Sequence, residues 1–97
     1  KAYIGPLVRM GSNNILNTAS IIEHECLIGD HCNIGPGSVI SGRATIGNHV
    51  FVGTSATVID KVSISSFVTL GAGAVVVKDI NEPGTYIGVP ARIKKEG

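Results

Sequence analysis

Every sixth residue from Ile4 to Val76 is aliphatic or Met: Ile4, Met10, Leu16, Ile22, Ile28, Ile34, Ile40, Ile46, Val52, Val58, Ile64, Leu70 and Val76. A period of six held without an insertion fits neither an amphipathic helix nor a plain alternating strand, and marks a repeat architecture. The residue after each apolar position is often Gly, as in Gly5, Gly11, Gly29, Gly35, Gly47, Gly53 and Gly71. The fourth after is small or β-branched in most units, for example Cys26, Cys32, Ser38, Ala44, Ala56 and Ala74. A six-residue unit is too short for a helix. Rich in Ile and Val and punctuated by Gly, it describes a short strand followed by a turn, and three units make one coil.

Composition limits what such coils enclose and what they attract. The chain has 97 residues and is 43% apolar, yet only 4% aromatic, with no Trp and 13 Gly, so its interior is filled by something other than large rings. Eight Lys/Arg against seven Asp/Glu leave a net charge of +1, which gives no basic field for nucleic acid or a membrane surface. No apolar run approaches the roughly 18 residues of a spanning helix, and Lys1-Ala2-Tyr3-Ile4-Gly5-Pro6 lacks the build of a signal peptide. These features predict a soluble, cytoplasmic protein. The repeat is already running at Ile4 and no Met starts the chain, which predicts a piece of a longer protein. Cys26 and Cys32 are wrongly spaced for a redox pair or a four-ligand zinc site and are predicted to be buried free thiols.

The run Ile28-Gly29-Asp30-His31-Cys32-Asn33-Ile34-Gly35-Pro36-Gly37-Ser38-Val39 resembles the hexapeptide repeat of left-handed parallel β-helix acyltransferases. The resemblance implies an all-β triangular prism of about four 18-residue coils over residues 4–77, the large aliphatics pointing inward and the small residues at the corners. Its left-handed sense comes from the resemblance, since it runs against the usual crossover preference. The period breaks after Val76. Residues 78–97 then form a short tail, whose Gly88-Val89-Pro90-Ala91-Arg92 is similar to the segment by which family members leave the prism. The whole of 1–97 reads as one such domain.

Residues 18 apart stack in columns. One column holds Pro6, His24, Gly42 and Asp60, its neighbour Leu7, Glu25, Arg43 and Lys61, and a third Thr18, Pro36, Thr54 and Ala72. Acyl transfer from a thioester needs a base for the acceptor's proton, and His titrates near neutrality. Glu25 is placed to orient the His24 ring, and Gly42 offers an unobstructed backbone N–H to an oxyanion. On residue chemistry alone a second reading stands beside this one: His24 as one surface histidine among three, with Glu25 pairing Arg43 in the next coil. The segment His24-Glu25-Cys26-Leu27-Ile28-Gly29-Asp30 is similar to the motif of the sialic acid O-acetyltransferases and the related nucleotide-sugar N-acetyltransferases. That resemblance implies that His24 is the catalytic base, that Glu25 increases its basicity, and that the donor is acetyl-CoA.

In that group the donor lies in a groove between subunits of a homotrimer, and the matching positions are Asn33, Thr54 and Ala72. Asn33 replaces a frequent His. Arg92, with Lys94 and Lys95, is in place to meet the coenzyme's phosphates or simply forms a solvated terminus. The acceptor implied is a sugar or nucleotide sugar, bound in the group by a preceding α/β domain that these residues do not include. O- and N-transfer are not separated, because the same base serves both. Phe51, Val75 and Val77 point away from the inward positions and are expected at subunit contacts. No metal is called for. Two competing functions are a structural, trimerising β-helix and a relative of the zinc carbonic anhydrases that share the prism, the latter raised by His31 and His49 stacking 18 apart.

Overall fold

In a computed structural model that describes residues 1–95, the chain winds as a left-handed parallel β-helix of three flat faces. The first face carries the strands Tyr3–Ile4, Ile21–Ile22, Val39–Ile40, Thr57–Val58 and Val75–Val76. The second carries Arg9–Met10, Leu27–Ile28, Thr45–Ile46 and Ser63–Ile64. The third carries Ile15–Leu16, Asn33–Ile34, Phe51–Val52 and Val68–Leu70, and then Gly84–Ile87 and Arg92–Ile93. Pairing through the regular coils is parallel and offset by 18 residues, as in Tyr3↔Ile21 and Thr57↔Val75.

The last residue of each strand from Tyr3–Ile4 to Val75–Val76 points inward. Ile22, Ile34, Ile40, Val52, Val58 and Leu70 are all fully buried, and Cys26, Ala44, Ala56 and Ala74 fill the corners behind them. A stack of aliphatics therefore replaces the aromatics that the composition lacks, each buried side chain contributing about 1.5–3 kcal/mol. Among the described residues no coil lies below the first. Its inward residues Ile4, Met10 and Leu16 remain partly or largely exposed.

Each corner is turned by one residue in the left-handed region. Leu7, Asn13, Ala19, Glu25, His31, Gly37, Arg43, His49, Ser55, Lys61, Phe67 and Gly73 all have φ between 54° and 70°, again at a period of six. Ten of these twelve are not glycine, so the turns are held by the ladder rather than by local preference. The recurrent glycines have another task. A Cβ on Gly35 would lie 2.5 Å from the Val52 carbonyl oxygen, and one on Gly53 2.6 Å from that of Leu70. They stand where successive coils pass too closely for any side chain.

The tail departs from the sequence reading. It does not leave the prism at Val76 but adds a fifth coil, shortened by two residues. Ile80 bridges Ile64 and is buried, while Val68, Thr69 and Leu70 pair with Gly84, Thr85 and Tyr86 at an offset of 16. The chain then folds back antiparallel, Tyr86 opposite Ile93, and Ala91 N–H donates to the Val75 carbonyl. The last two residues of the tail, 96 and 97, lie outside the described residues.

Candidate active site

His24, Glu25, Gly42 and Arg43 meet at the corner between the first and second faces. The Arg43 N–H donates to the His24 carbonyl at 2.9 Å, which fixes the two turns one above the other. Glu25 leaves its turn with φ 62° and Arg43 with φ 60°, so their side chains project from the same edge, one coil apart. His24 Nδ1 lies 3.0 Å from Glu25 Oε1, and Arg43 Nε lies 3.4 Å from the same oxygen. Both partners of Glu25 weighed from the sequence are thus present together.

The carboxylate accepts and cannot donate, so the hydrogen between His24 and Glu25 sits on Nδ1 of the neutral ring. Nε2 then carries the free lone pair. It points over Gly42: a Cβ on that residue would fall 2.6 Å from Nε2 and 2.9 Å from Cε1. The His24 and Glu25 side chains are 45% and 42% exposed, open enough for an acceptor to reach them. The Gly42 N–H donates to no atom of the described residues. A ring nitrogen able to accept a proton and an N–H without a partner among the described residues therefore meet at Gly42, an arrangement suited to proton abstraction beside an oxyanion.

The three corners differ in what they do with the backbone N–H of their outermost residue. At the corner between the second and third faces these groups are sealed along the column: Ser12 N–H donates to Asp30 Oδ1, Asp30 N–H to Asn48 Oδ1, and Asn48 N–H to Ser66 Oγ. At the corner between the third and first faces the column is Thr18, Pro36, Thr54 and Ala72. The N–H groups of Thr54 and Ala72 have no partner among the described residues, and both residues are exposed. The two open corners hold five of the seven predicted site residues: His24, Glu25 and Gly42 at one, Thr54 and Ala72 at the other. The sequence shows the difference as a run of Ser, Asp, Asn and Ser at 12, 30, 48 and 66, a signal that the columns contain but that the reading above did not use.

Asn33 and Arg92 stand apart from these columns. Asn33 lies on the outer surface of the third face, beside Phe51, and its side-chain oxygen accepts from the Asn17 amide at 2.9 Å. Arg92 lies in the folded-back tail, where it lines a cavity of about 190 Å³ with Lys78, Tyr86 and Ala91. The thiols of Cys26 and Cys32 are buried at corners and donate to the carbonyls of Ser41 and Gly47, each at 3.1 Å. Burial pushes both thiols above their ordinary range. Neither is placed to act as a nucleophile. The His31 and His49 rings stack 4.8 Å apart, and His49 stacks on Phe67 at 4.9 Å. Parallel rings at that separation do not direct two nitrogens onto one ion at the roughly 2.0–2.1 Å that zinc demands.

The bacterial transferase hexapeptide family (six repeats) matches residues 7–42. No curated protein matches the chain in sequence. Among solved structures, a mutant of perosamine N-acetyltransferase from Caulobacter crescentus, in complex with CoA and GDP-perosamine, is 33% identical. It superposes with a TM-score of 0.87 over 98% of this chain and 54% of that one. The acetyltransferase domain of PglB from Neisseria gonorrhoeae, in complex with acetyl coenzyme A, is 32% identical, with a TM-score of 0.85 over 96% of this chain and 54% of the other. WeeI from Acinetobacter baumannii is 28% identical, with a TM-score of 0.82 over 96% and 55%. The chain thus spans little more than half the length of each. The unbroken hexad, the parallel coils and these likenesses make the chain a hexapeptide-repeat β-helix, similar over its length to one domain of sugar N-acetyltransferases.

Proposed function

We propose that this chain carries the acetyl-CoA-dependent transfer of an acetyl group to a sugar or nucleotide-sugar acceptor. The observation that carries the reading is the His24 ring, tied through Nδ1 to Glu25 and presenting Nε2 over Gly42, whose N–H has no partner among the described residues. The complexes of the similar proteins support it, since one holds CoA with GDP-perosamine and another acetyl coenzyme A.

In this reading the acceptor's hydroxyl or amine gives its proton to His24 Nε2 as its lone pair attacks the thioester carbonyl. The Gly42 N–H donates to the oxygen that becomes negative, and Glu25 stabilises the imidazolium. Collapse of the tetrahedral centre breaks the C–S bond, and the departing thiolate takes the proton from Nε2. Transfer is direct, as both cysteines are buried. The free N–H groups of Thr54 and Ala72 bind the donor along the open corner, with Asn33 and Arg92 further out on its path. Phe51 and Val77, 49% and 43% exposed, are offered to neighbouring copies in a homotrimer. A cytoplasmic setting belongs to the same reading, because it supplies the thioester and suits the two free thiols.

Calorimetry with acetyl-CoA on the wild type and on His24→Ala, paired with CoA release in the presence of amino sugars and sialic acids, tests the reading. Coenzyme binding by both proteins and thiol release only by the wild type support it. Release lower by about 10²- to 10⁴-fold is expected for the variant. Absence of acetyl-CoA binding in a preparation shown to be trimeric overturns it and leaves the prism a structural role.

A further inference from the structure

We infer that Arg43 is a positioning residue for the proposed base: from the next coil it holds Glu25 Oε1 on His24 Nδ1 and so keeps the ring in its Nδ1–H form. The inference rests on the reading of His24 as that base.

Glu25 sits at an exposed corner, and one contact between exposed side chains does little to fix a long, flexible carboxylate. A neutral imidazole free in water carries its hydrogen mainly on Nε2, the tautomer in which Nε2 cannot accept a proton. Something must hold the carboxylate on Nδ1 for the ring to stay in the working form.

Arg43 is built for that task. Its backbone N–H is bonded to the His24 carbonyl, and its turn stacks directly on that of Glu25. The guanidinium approaches through Nε, 3.4 Å from Oε1, the oxygen that also takes the His24 contact. A bidentate grip through the guanidinium fork would draw the carboxylate toward Arg43 and off the ring. The single Nε approach leaves Oε1 between the two donors. Among the described residues no ion pair links Glu25 or Arg43 to Glu23, Asp60 or Lys61, so the cation is committed to this one carboxylate.

The test is the tautomer of His24, read from long-range ¹H–¹⁵N spectra of the neutral ring in the wild type, Arg43→Ala and Arg43→Lys. The amide spectrum of each variant checks that the coils are intact. Passage of the ring from Nδ1–H to Nε2–H in Arg43→Ala, with Nδ1–H retained in Arg43→Lys, supports the inference. An unchanged Nδ1–H ring in Arg43→Ala overturns it. In the working transferase the same Ala variant is expected to lose roughly two- to fivefold in kcat with KM for acetyl-CoA unchanged. The two readings fail separately. A wild type that transfers no acetyl group removes the proposed function, while the ring's tautomer still decides whether Arg43 positions it.

Discussion

The tip of the His24 ring occupies the space that a side chain on Gly42 would need: a Cβ there would lie 2.6 Å from Nε2 and 3.2 Å from Cδ2. The nearest atoms all belong to the end of one flexible side chain, so Gly42→Ala moves the ring rather than the coils. Displacing a base by about an ångström costs on the order of 100-fold. Gly42→Ala is therefore expected to lower kcat by about that factor while Tm and acetyl-CoA binding stay near wild type. Calorimetry with a CoA-release assay measures both, and a fully active Ala variant would separate the ring's position from the chemistry.

Gly35 and Gly73 look alike in the sequence and should respond in different ways. A Cβ on Gly35 meets backbone at three points within 2.9 Å, the Val52 oxygen nearest at 2.5 Å, so the coils must spread to admit it. Gly73 has φ +70° but nothing within 4 Å. Gly73→Ala then costs only the left-handed penalty of about 1–2 kcal/mol, a strain that ten other corner residues already bear. Gly35→Ala is expected to cost more than that and to broaden the unfolding transition. Denaturant titration of the two variants compares them directly, and equal losses would mean that the coils yield more easily than their spacing implies.

The regular coils were legible because thirteen residues in one column type obey one rule, and the structure places each of them inward. The fifth coil escaped for the same reason. A fixed period carried past Val76 lands on Glu82 and Gly88, whereas the chain drops two residues and resumes at Ile80 and Tyr86. The glycines were legible as turn residues, and Gly35, Gly53 and Gly71 do open turns, but their close approach to the next coil was not, because it is a property of the stack and not of the hexad. His24, Glu25 and Gly42 fell into adjacent columns by arithmetic alone. What no column supplied was direction: that Nε2 faces Gly42 and that Arg43 shares the Glu25 oxygen.

Ile4, Ile22 and Ile40 are equivalent in the repeat but not in the prism. Ile4 is 48% exposed at the first coil, whereas Ile22 and Ile40 are fully buried between coils above and below. Ile22→Ala and Ile40→Ala are expected to cost about 2–5 kcal/mol each, since the packed stack cannot collapse onto the space left. Ile4→Ala is expected to cost less than about 1 kcal/mol, its side chain having lost little water on folding. Chemical denaturation of the three variants measures the gradient. A uniform cost would mean that the first coil is covered in solution, for example by another copy.

The two buried thiols set an alkaline limit on stability. Cys26 and Cys32 are held above the ordinary thiol value of 9.0, first by desolvation and in part against the hydrogen bonds their backbone neighbours offer the thiolate. In the unfolded chain each thiol loses its proton near that ordinary value, while the folded chain still holds it. The unfolded state therefore binds fewer protons above about pH 9, and stability falls with rising pH until the folded thiols titrate as well. Each thiol contributes a slope of about 1.4 kcal/mol per pH unit in that window and none below it. The double variant Cys26→Ala, Cys32→Ala is expected to lose packing at every pH, because each site gives up a buried sulfur. Its stability should fall less steeply than that of the wild type between about pH 9 and 10.5. Urea titrations across that range, under a reducing agent, measure the two slopes. Parallel slopes would show that these thiols are not the groups whose ionisation opens the prism.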